Sequence, residues 1–137
     1  MRIEYITFKS HGDDRGQLIA LEQGNEVPFT TKRVYYIFGT SKGIRRGFHA
    51  HKKLKQLLFC VSGSCKIHLD DGRETREVEL DGPDKGLLIT ESLIWREMYD
   101  FSENAVLVVL ASELYDEKDY IRSYNEFIKY VGDKNNE

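Results

Sequence analysis

Up to Ala111 the chain is a series of short apolar segments, each closed by turn residues and none long enough for a helix. Gln56–Val61 and Cys65–Leu69 flank Ser62-Gly63-Ser64 and predict a hairpin, and Asp70-Asp71-Gly72 is a further tight-turn signal. Strand-sized segments that recur about every 8–12 residues, with no helix between them, are typical of an antiparallel sandwich or barrel. We therefore predict an all-β fold for this part of the chain.

The apolar period changes from Lys118 onward, where apolar residues recur at helical spacing. Asp116 precedes this segment as a candidate N-cap, and Gly132 is the type of residue that commonly ends a helix. We predict a C-terminal α-helix between these two residues, packed against the outside of the barrel or against a partner subunit. The apolar residues of this helix are Ile121, Tyr124, Phe127, Ile128 and Val131.

The length of 137 residues fits a single domain spanning 1–137, and the formal charge of −3 argues against a nucleic-acid-binding protein, which usually carries a basic surface. The longest apolar run, Ala105–Ala111, is too short for a membrane span, and the N-terminus lacks the apolar core of a secretion signal. We expect no nucleic-acid or membrane partner, and a cytoplasmic protein in which Cys60 and Cys65 are buried thiols.

His49 and His51 are the residues most suggestive of chemistry. On an extended strand, side chains two residues apart lie on the same face, about 7 Å apart along the chain. Two such imidazoles are able to bind a metal ion or to act as acid and base on one substrate. The spacing alone leaves a third interpretation open, because the flanking Arg45-Arg46 and Lys52-Lys53 are also typical of a solvated surface strand.

The segment Gly43–Gly63 resembles the first motif of the cupin superfamily, with Gln56 where that motif has Glu. The second cupin motif is only partly matched at Pro83–Gly86, and Ile89 stands where a ligating His is expected. The resemblance implies a cupin jelly roll, also called a double-stranded β-helix. An amide is a weak ligand and an alkyl side chain is none, so we expect no metal ion.

A closer resemblance covers nearly the whole chain. Arg46-Gly47-Phe48-His49 is similar to a motif of nucleotide-sugar 3,5-epimerases, and further blocks resemble the TDP-4-oxo-6-deoxyglucose 3,4-ketoisomerases. That resemblance implies an isomerase that moves the ketone of a TDP-linked 4-oxo-6-deoxyhexose from C4 to C3, for deoxyamino-sugar biosynthesis. It also implies a homodimer with exchanged N-terminal strands and a reaction that needs no cofactor. The blocks are Arg45–Lys52 with Gln56, Asp70–Gly72, Pro83–Ile89 and Leu114–Arg122.

The resemblance implies His49 as the base that removes the C3 proton, with His51 as its partner in moving protons between the oxygens. If this base has the ordinary imidazole pKa, it loses its proton as the pH rises, and we predict activity that rises through about pH 6–7.

We predict five further residues to bind the substrate. Arg46 and Arg15 are candidates for the diphosphate, and Arg33 is a third, because guanidinium groups pair well with phosphates. Tyr35 shares a strand face with Arg33 and is the tyrosine we expect to reach the sugar. Gln56, at the position of a lost metal ligand, is a candidate partner for sugar or imidazole.

Three other functions remain open at this level. A 3,5-epimerase would begin with the same deprotonation at C3, and a sugar-sensing cupin would bind in the same cavity without turnover. A metal-dependent cupin enzyme is the third, and Gln56 and Ile89 argue against it. Residue types also leave the C4 configuration of the product open, whether galacto or gluco.

Overall fold

The apolar segments of the sequence form two facing antiparallel sheets in the computed structural model, which describes residues 1–135. Within these residues each large sheet has five strands. The first sheet contains, in spatial order, β1 (Ile3–Thr7), β9 (Lys85–Ile89), β6 (Gln56–Ser62), β11 (Val106–Ala111) and β4 (Arg33–Ile37). The second contains β12 (Tyr120–Ile121), β5 (Arg46–His51), β10 (Trp95–Tyr99), β7 (Ser64–Asp70) and β8 (Thr75–Asp81).

A small hairpin of β2 (His11–Asp13) and β3 (Gly16–Leu18) stands apart from both sheets. Residues 136 and 137, the last two of the predicted domain 1–137, lie outside the described residues. Within residues 1–135, no helix combines the length and apolar character needed to cross a membrane.

The main core lies between the two sheets, because alternate residues of the facing strands point inward. Leu58 on β6, Ile67 on β7 and Leu107 on β11 are fully buried there. Burying each such side chain contributes about 1.5–3 kcal/mol to folding. Cys60 and Cys65 lie in the same core with their sulfurs 3.6 Å apart and unbonded, which confirms the prediction of buried thiols. The two-sheet antiparallel architecture confirms the predicted jelly roll.

The C-terminal helix exists, but both of its predicted ends are wrong. Asp116 caps a 3-10 turn, Glu117–Asp119, through a hydrogen bond from the Lys118 amide to its carboxylate at 3.0 Å. The chain then extends as β12 along β5, so the α-helix begins only at Tyr124. It runs to Asn135 as α1 (Tyr124–Asn135), through Gly132, which keeps helical geometry because glycine inside a helix costs only about 1 kcal/mol.

The helix packs on the outside of the second sheet of its own chain. Phe127 is fully buried there against Trp95 of β10, with ring centroids 5.8 Å apart, and against Ala50 of β5. The sequence analysis left two positions open for this helix, against the barrel or against a partner subunit, and in the structure the helix lies against the barrel. The packing fixes the preceding turn, Glu117–Asp119, against the end of β5, where the site described below begins.

Candidate active site

The imidazoles of His49 and His51 lie together inside the barrel, at the end of β5. Their ring centroids are 4.9 Å apart, and the side chains are 8% and 0% exposed. This confirms that the two residues share one strand face, and it rules out the interpretation as solvated surface residues. Burial on one face is what the alternation of a half-buried strand predicts.

A β-bulge directly before His49 sets the direction of its side chain. Arg96 pairs with His49 and Glu97 pairs with Gly47, so Phe48 has no partner on β10. Phe48 has a φ of 55°, and a Cβ on Gly47 would come within 2.8 Å of the Arg96 carbonyl oxygen. Glycine is therefore required at position 47, and the strained backbone at Phe48 is of the kind that re-aims side chains at functional sites.

Asp119 orients His51. Its Oδ2 lies 2.9 Å from Nδ1 of His51, and its Oδ1 accepts the backbone amides of Lys52 and Lys53 at 3.2 and 2.9 Å. A carboxylate at this distance holds the proton on Nδ1 and leaves the lone pair on Nε2. Within residues 1–135, Nε2 of His51 and Nε2 of His49 are both buried without a hydrogen-bond partner. Neither nitrogen is therefore engaged by the described part of the protein, and the His49 ring also lines the cavity described below.

Both imidazoles are held in the neutral form. Burial, and next the positive charge of Arg96, lower the pKa of His49 to about 4. The same two causes lower the pKa of His51 well below its usual value. Each ring is therefore a proton acceptor at neutral pH, which is the form that a general base requires.

Gln56 and Tyr35 are linked to a buried arginine behind the histidines. Arg96 is fully buried and donates from Nη1 to Oε1 of Gln56, while Nε2 of Gln56 donates to the Tyr35 hydroxyl at 3.0 Å. Nε and Nη2 of Arg96 donate to the Ile94 carbonyl at 3.3 and 3.0 Å. Burial lowers the pKa of Arg96 to about 10, so it remains charged at neutral pH. Gln56 thus sits behind Tyr35 instead of on the cavity surface.

The residues present do not fit the metal ion that many cupins hold. Gln56 and Ile89, which stand at two ligand positions of the cupin motifs, are cross-strand partners on β6 and β9. Ile89 offers no donor atom, however, and the amide oxygen of Gln56 already accepts from a guanidinium. In the described part of the chain, no three His, Cys, Asp or Glu side chains cluster in a metal-binding arrangement. The donor set argues against a metal centre.

A cavity of about 370 Å³ opens in front of His49. Small-molecule sites commonly measure about 300–1,000 Å³, so the volume suits a ligand of moderate size. Its wall carries three arginines, of which Arg33 has Nε and Nη2 buried without an acceptor among residues 1–135. Such guanidinium groups are suited to an anionic ligand. Residues lining the cavity include Arg33, Tyr35, Arg46, His49, Tyr120 and Arg122.

The structure brings most, but not all, of the predicted site residues to this cavity. His49, Arg33, Tyr35 and Arg46 line it, and His51 lies directly behind His49. Arg15 is not among the lining residues: it lies on the exposed turn between β2 and β3, where its guanidinium pairs with Asp13 at 2.6 Å. A role for Arg15 in this site would need a second copy of the chain.

Comparisons with known proteins identify the family. Residues 1–132 match the family model described as "FdtA: WxcM-like, C-terminal". The chain belongs to this family. It is 51% identical, over 131 residues, to the TDP-4-oxo-6-deoxy-alpha-D-glucose-3,4-oxoisomerase of Aneurinibacillus thermoaerophilus. The match covers 96% of this chain and 94% of that protein.

Two solved structures of 3,4-ketoisomerases superpose closely on the chain. A 3,4-ketoisomerase from Helicobacter canadensis has a TM-score of 0.93 at 47% identity, covering 96% of this chain and 98% of its own. The second is a histidine-to-asparagine mutant of QdtA, a 3,4-ketoisomerase from Thermoanaerobacterium thermosaccharolyticum, in complex with TDP-4-keto-6-deoxyglucose. Its TM-score is 0.90 at 48% identity, with 94% of this chain and 93% of that chain covered.

Sequence reasoning missed four residues of the candidate site, namely Arg96, Asp119, Tyr120 and Arg122. Three of them belong to the Leu114–Arg122 block, whose helical spacing concealed a turn and a short strand. Arg96 left a weaker signal, since it alternates onto the same face of β10 as the buried Met98. A charged residue on a buried strand face is uncommon and often functional.

Proposed function

We propose that the chain is a TDP-4-oxo-6-deoxyglucose 3,4-ketoisomerase that transfers protons between C3 and C4 through its paired histidines. One observation carries the proposal: a neutral imidazole, His49, faces an arginine-walled cavity with a free Nε2, beside a second imidazole oriented by Asp119. Membership of the FdtA/WxcM-like family and the named activities of the relatives support the same substrate.

The diphosphate of the substrate would be bound by the arginines of the cavity wall. Arg33 is the first candidate, because two of its nitrogens are buried without a protein acceptor, and Arg46 lies on the same wall. Arg122 is partly neutralised, since Glu117 accepts from its Nε and Nη2 at 2.7 and 2.9 Å. A diphosphate fixed at this wall would place the hexose toward His49, at the inner end of the cavity.

The reaction needs one carbon-bound proton to be removed and another to be added. The C4 carbonyl acidifies the C3 hydrogen, and Nε2 of His49 accepts that proton while the electron pair forms a C3–C4 double bond and negative charge on O4. The resulting enediolate takes a proton on O4 and loses one from O3, which we assign to His51. His49 then exchanges its proton with solvent and donates a proton to C4, which leaves the ketone at C3.

Two phenols are placed to help the carbonyl become an enolate. Tyr35 and Tyr120 both line the cavity, and Tyr120 packs against both imidazoles, with ring centroids 5.2 Å from His49 and 4.5 Å from His51. Because Gln56 donates to the Tyr35 oxygen, the Tyr35 hydroxyl proton remains available for a ligand. We assign Tyr35 as a donor to the sugar, as the sequence predicts.

We propose further that the protein functions as a homodimer. The edge strand β4 of the first sheet exposes Val34 and Tyr36, at 57% and 61% of their surfaces, and Phe38, directly after the strand, is 66% exposed. An exposed apolar edge strand is usually covered by a partner. In an exchanged dimer, the pairing of Ile3–Thr7 with Lys85–Ile89 would form between subunits, and Arg15 would follow its strand toward the partner's cavity. The cytoplasmic location stays a prediction.

The assay that tests the activity uses purified protein and TDP-4-oxo-6-deoxyglucose, with the product followed by NMR. We expect the carbonyl carbon to move from C4 to C3, and the ring couplings at C4 to show whether the product is galacto or gluco. A ketone that stays at C4 with inverted C3 or C5 would identify an epimerase instead. Binding without any change in the sugar would identify a sensing module. Either result would overturn the proposal.

A further inference from the structure

Arg96 is a buried cation without an anionic partner among residues 1–135. Its side chain is fully buried, and its hydrogen bonds go to the neutral oxygens of Gln56 and Ile94. Within residues 1–135, no carboxylate lies within ion-pair distance of its guanidinium. A buried charge that is hydrogen-bonded but not paired is costly for folding, so its retention calls for a functional reason.

The surrounding carboxylates are already engaged elsewhere. Asp119 accepts from His51 and two backbone amides, and Glu117 accepts from Arg122 and Tyr115. The charged and titratable groups that act on the two imidazoles are the cations Arg96, Arg33 and Arg122, the carboxylates Asp119 and Glu117, and the phenol Tyr120. The part of the protein that the structure describes therefore supplies no counter-charge for Arg96.

The position of Arg96 links it to the reacting end of the cavity. On β10 it pairs with His49 of β5, and its Nη1 crosses the barrel to Gln56 on β6 of the opposite sheet. Gln56 in turn donates to the hydroxyl of Tyr35, a residue that lines the cavity. This chain of donors runs from a fixed positive charge to the cavity, and each hydrogen bond polarises the next one.

We propose that Arg96 supplies the positive charge that stabilises the enediolate intermediate, transmitted through Gln56 and Tyr35. The inference rests on the proposed function, because it requires an enediolate. Arg96 is a positioning residue, since its buried guanidinium does not touch the substrate. The Arg96 guanidinium binds Gln56, which stands at a metal-ligand position of the cupin motif. The fixed charge of Arg96 would therefore act where metal-binding cupins use the charge of an ion.

The same charge keeps the imidazoles proton-free. Burial is the largest cause of the lowered pKa of both His49 and His51, and the charge of Arg96 is the second largest. Its removal would raise both pKa values and shift the acid limb of the activity profile toward neutral pH. A merely structural role of Arg96 predicts no such shift.

The test compares Arg96→Gln, Arg96→Lys and the control Arg45→Gln with the wild type. Arg45 binds Glu97 on the same strand from the outer surface, so its replacement removes a guanidinium without reaching the cavity. For Arg96→Gln we expect kcat to fall by about 100-fold or more, as for loss of an oxyanion donor, with TDP affinity unchanged. For Arg96→Lys, which keeps the charge, we expect kcat within about tenfold of wild type. The acid limb should move upward only in Arg96→Gln.

Two results would overturn the inference. One is a folded Arg96→Gln variant that keeps wild-type kcat and pH profile. The other is a folded Arg96→Lys variant that binds TDP but loses about 100-fold or more in kcat, which also decides the matter if Arg96→Gln does not fold. Failure of the proposed function is distinguishable from both, because wild type and Arg45→Gln would then leave the ketone at C4.

Discussion

Asp119 Oδ2 and His51 Nδ1 lie 2.9 Å apart, although 68 residues separate them in the chain. The contact joins the short turn before the C-terminal helix to the end of β5 and is almost completely shielded from solvent. It determines which nitrogen of His51 carries the proton, and therefore which nitrogen is free to accept one.

Replacing Asp119 by Asn should reduce kcat by at least about tenfold with little change in TDP affinity. The neutral amide no longer requires the proton on Nδ1 and no longer stabilises a charged His51 during turnover. Steady-state kinetics with calorimetric TDP binding measure both effects. Asp116→Asn is a matched control, because Asn caps the same turn as well as Asp does. An unchanged kcat in a folded Asp119→Asn variant would contradict this role.

The pH profile should be flat from about pH 5 to 8 and fall only near pH 4. The ordinary imidazole pKa predicts a rise through about pH 6–7, but burial and Arg96 lower the pKa of His49 to about 4. Because the neutral ring is the base, a lowered pKa extends activity toward acid. Measuring kcat/KM at constant ionic strength, with folding followed by Trp95 fluorescence, tests this. A midpoint near pH 6.5 would show that the free enzyme does not hold His49 as described.

Arg33→Ala and Arg46→Ala should each weaken TDP binding by about tenfold or more. Each removes a cation from the cavity wall, and hydrogen bonds to charged groups contribute about 1.5–3 kcal/mol. Arg73→Ala, on an exposed turn away from this cavity, serves as the control. Calorimetric affinities that match wild type for both cavity variants would place the diphosphate elsewhere.

Arg15→Ala and His49→Asn should complement each other if the N-terminal strands are exchanged in a homodimer. Each protein alone should be nearly inactive or bind substrate weakly. After the two are unfolded together in equal amounts and refolded, half of the dimers are mixed, and each mixed dimer holds one intact site. Activity should then reach about a quarter of wild type. Activity no greater than the mean of the two separate variants would mean that Arg15 serves no partner site.

The sequence predicts the local features of this protein better than its long-range contacts. Alternation on β5 is enough to place His49 and His51 on one face, because that relation depends only on strand geometry. The contacts of Arg96 with Gln56 and of Asp119 with His51 depend on which strands become neighbours, and they span 40 and 68 residues. The predicted start of the helix is wrong for a related reason. Tyr120–Ile121 pair with β5 as a strand, and this pairing outweighs the local helical period.

The central claim is that His49 moves the carbon-bound proton, and deuterium exchange tests it most directly. Wild type and His49→Asn are incubated with TDP-4-oxo-6-deoxyglucose in D2O. His68→Asn is the control, because His68 contacts Glu77 away from the cavity. For wild type and the control we predict a ketone at C3 and solvent deuterium at C4. His49→Asn should leave the C3 hydrogen in place over the same time. Exchange at C3 by folded His49→Asn at the wild-type rate would contradict the account.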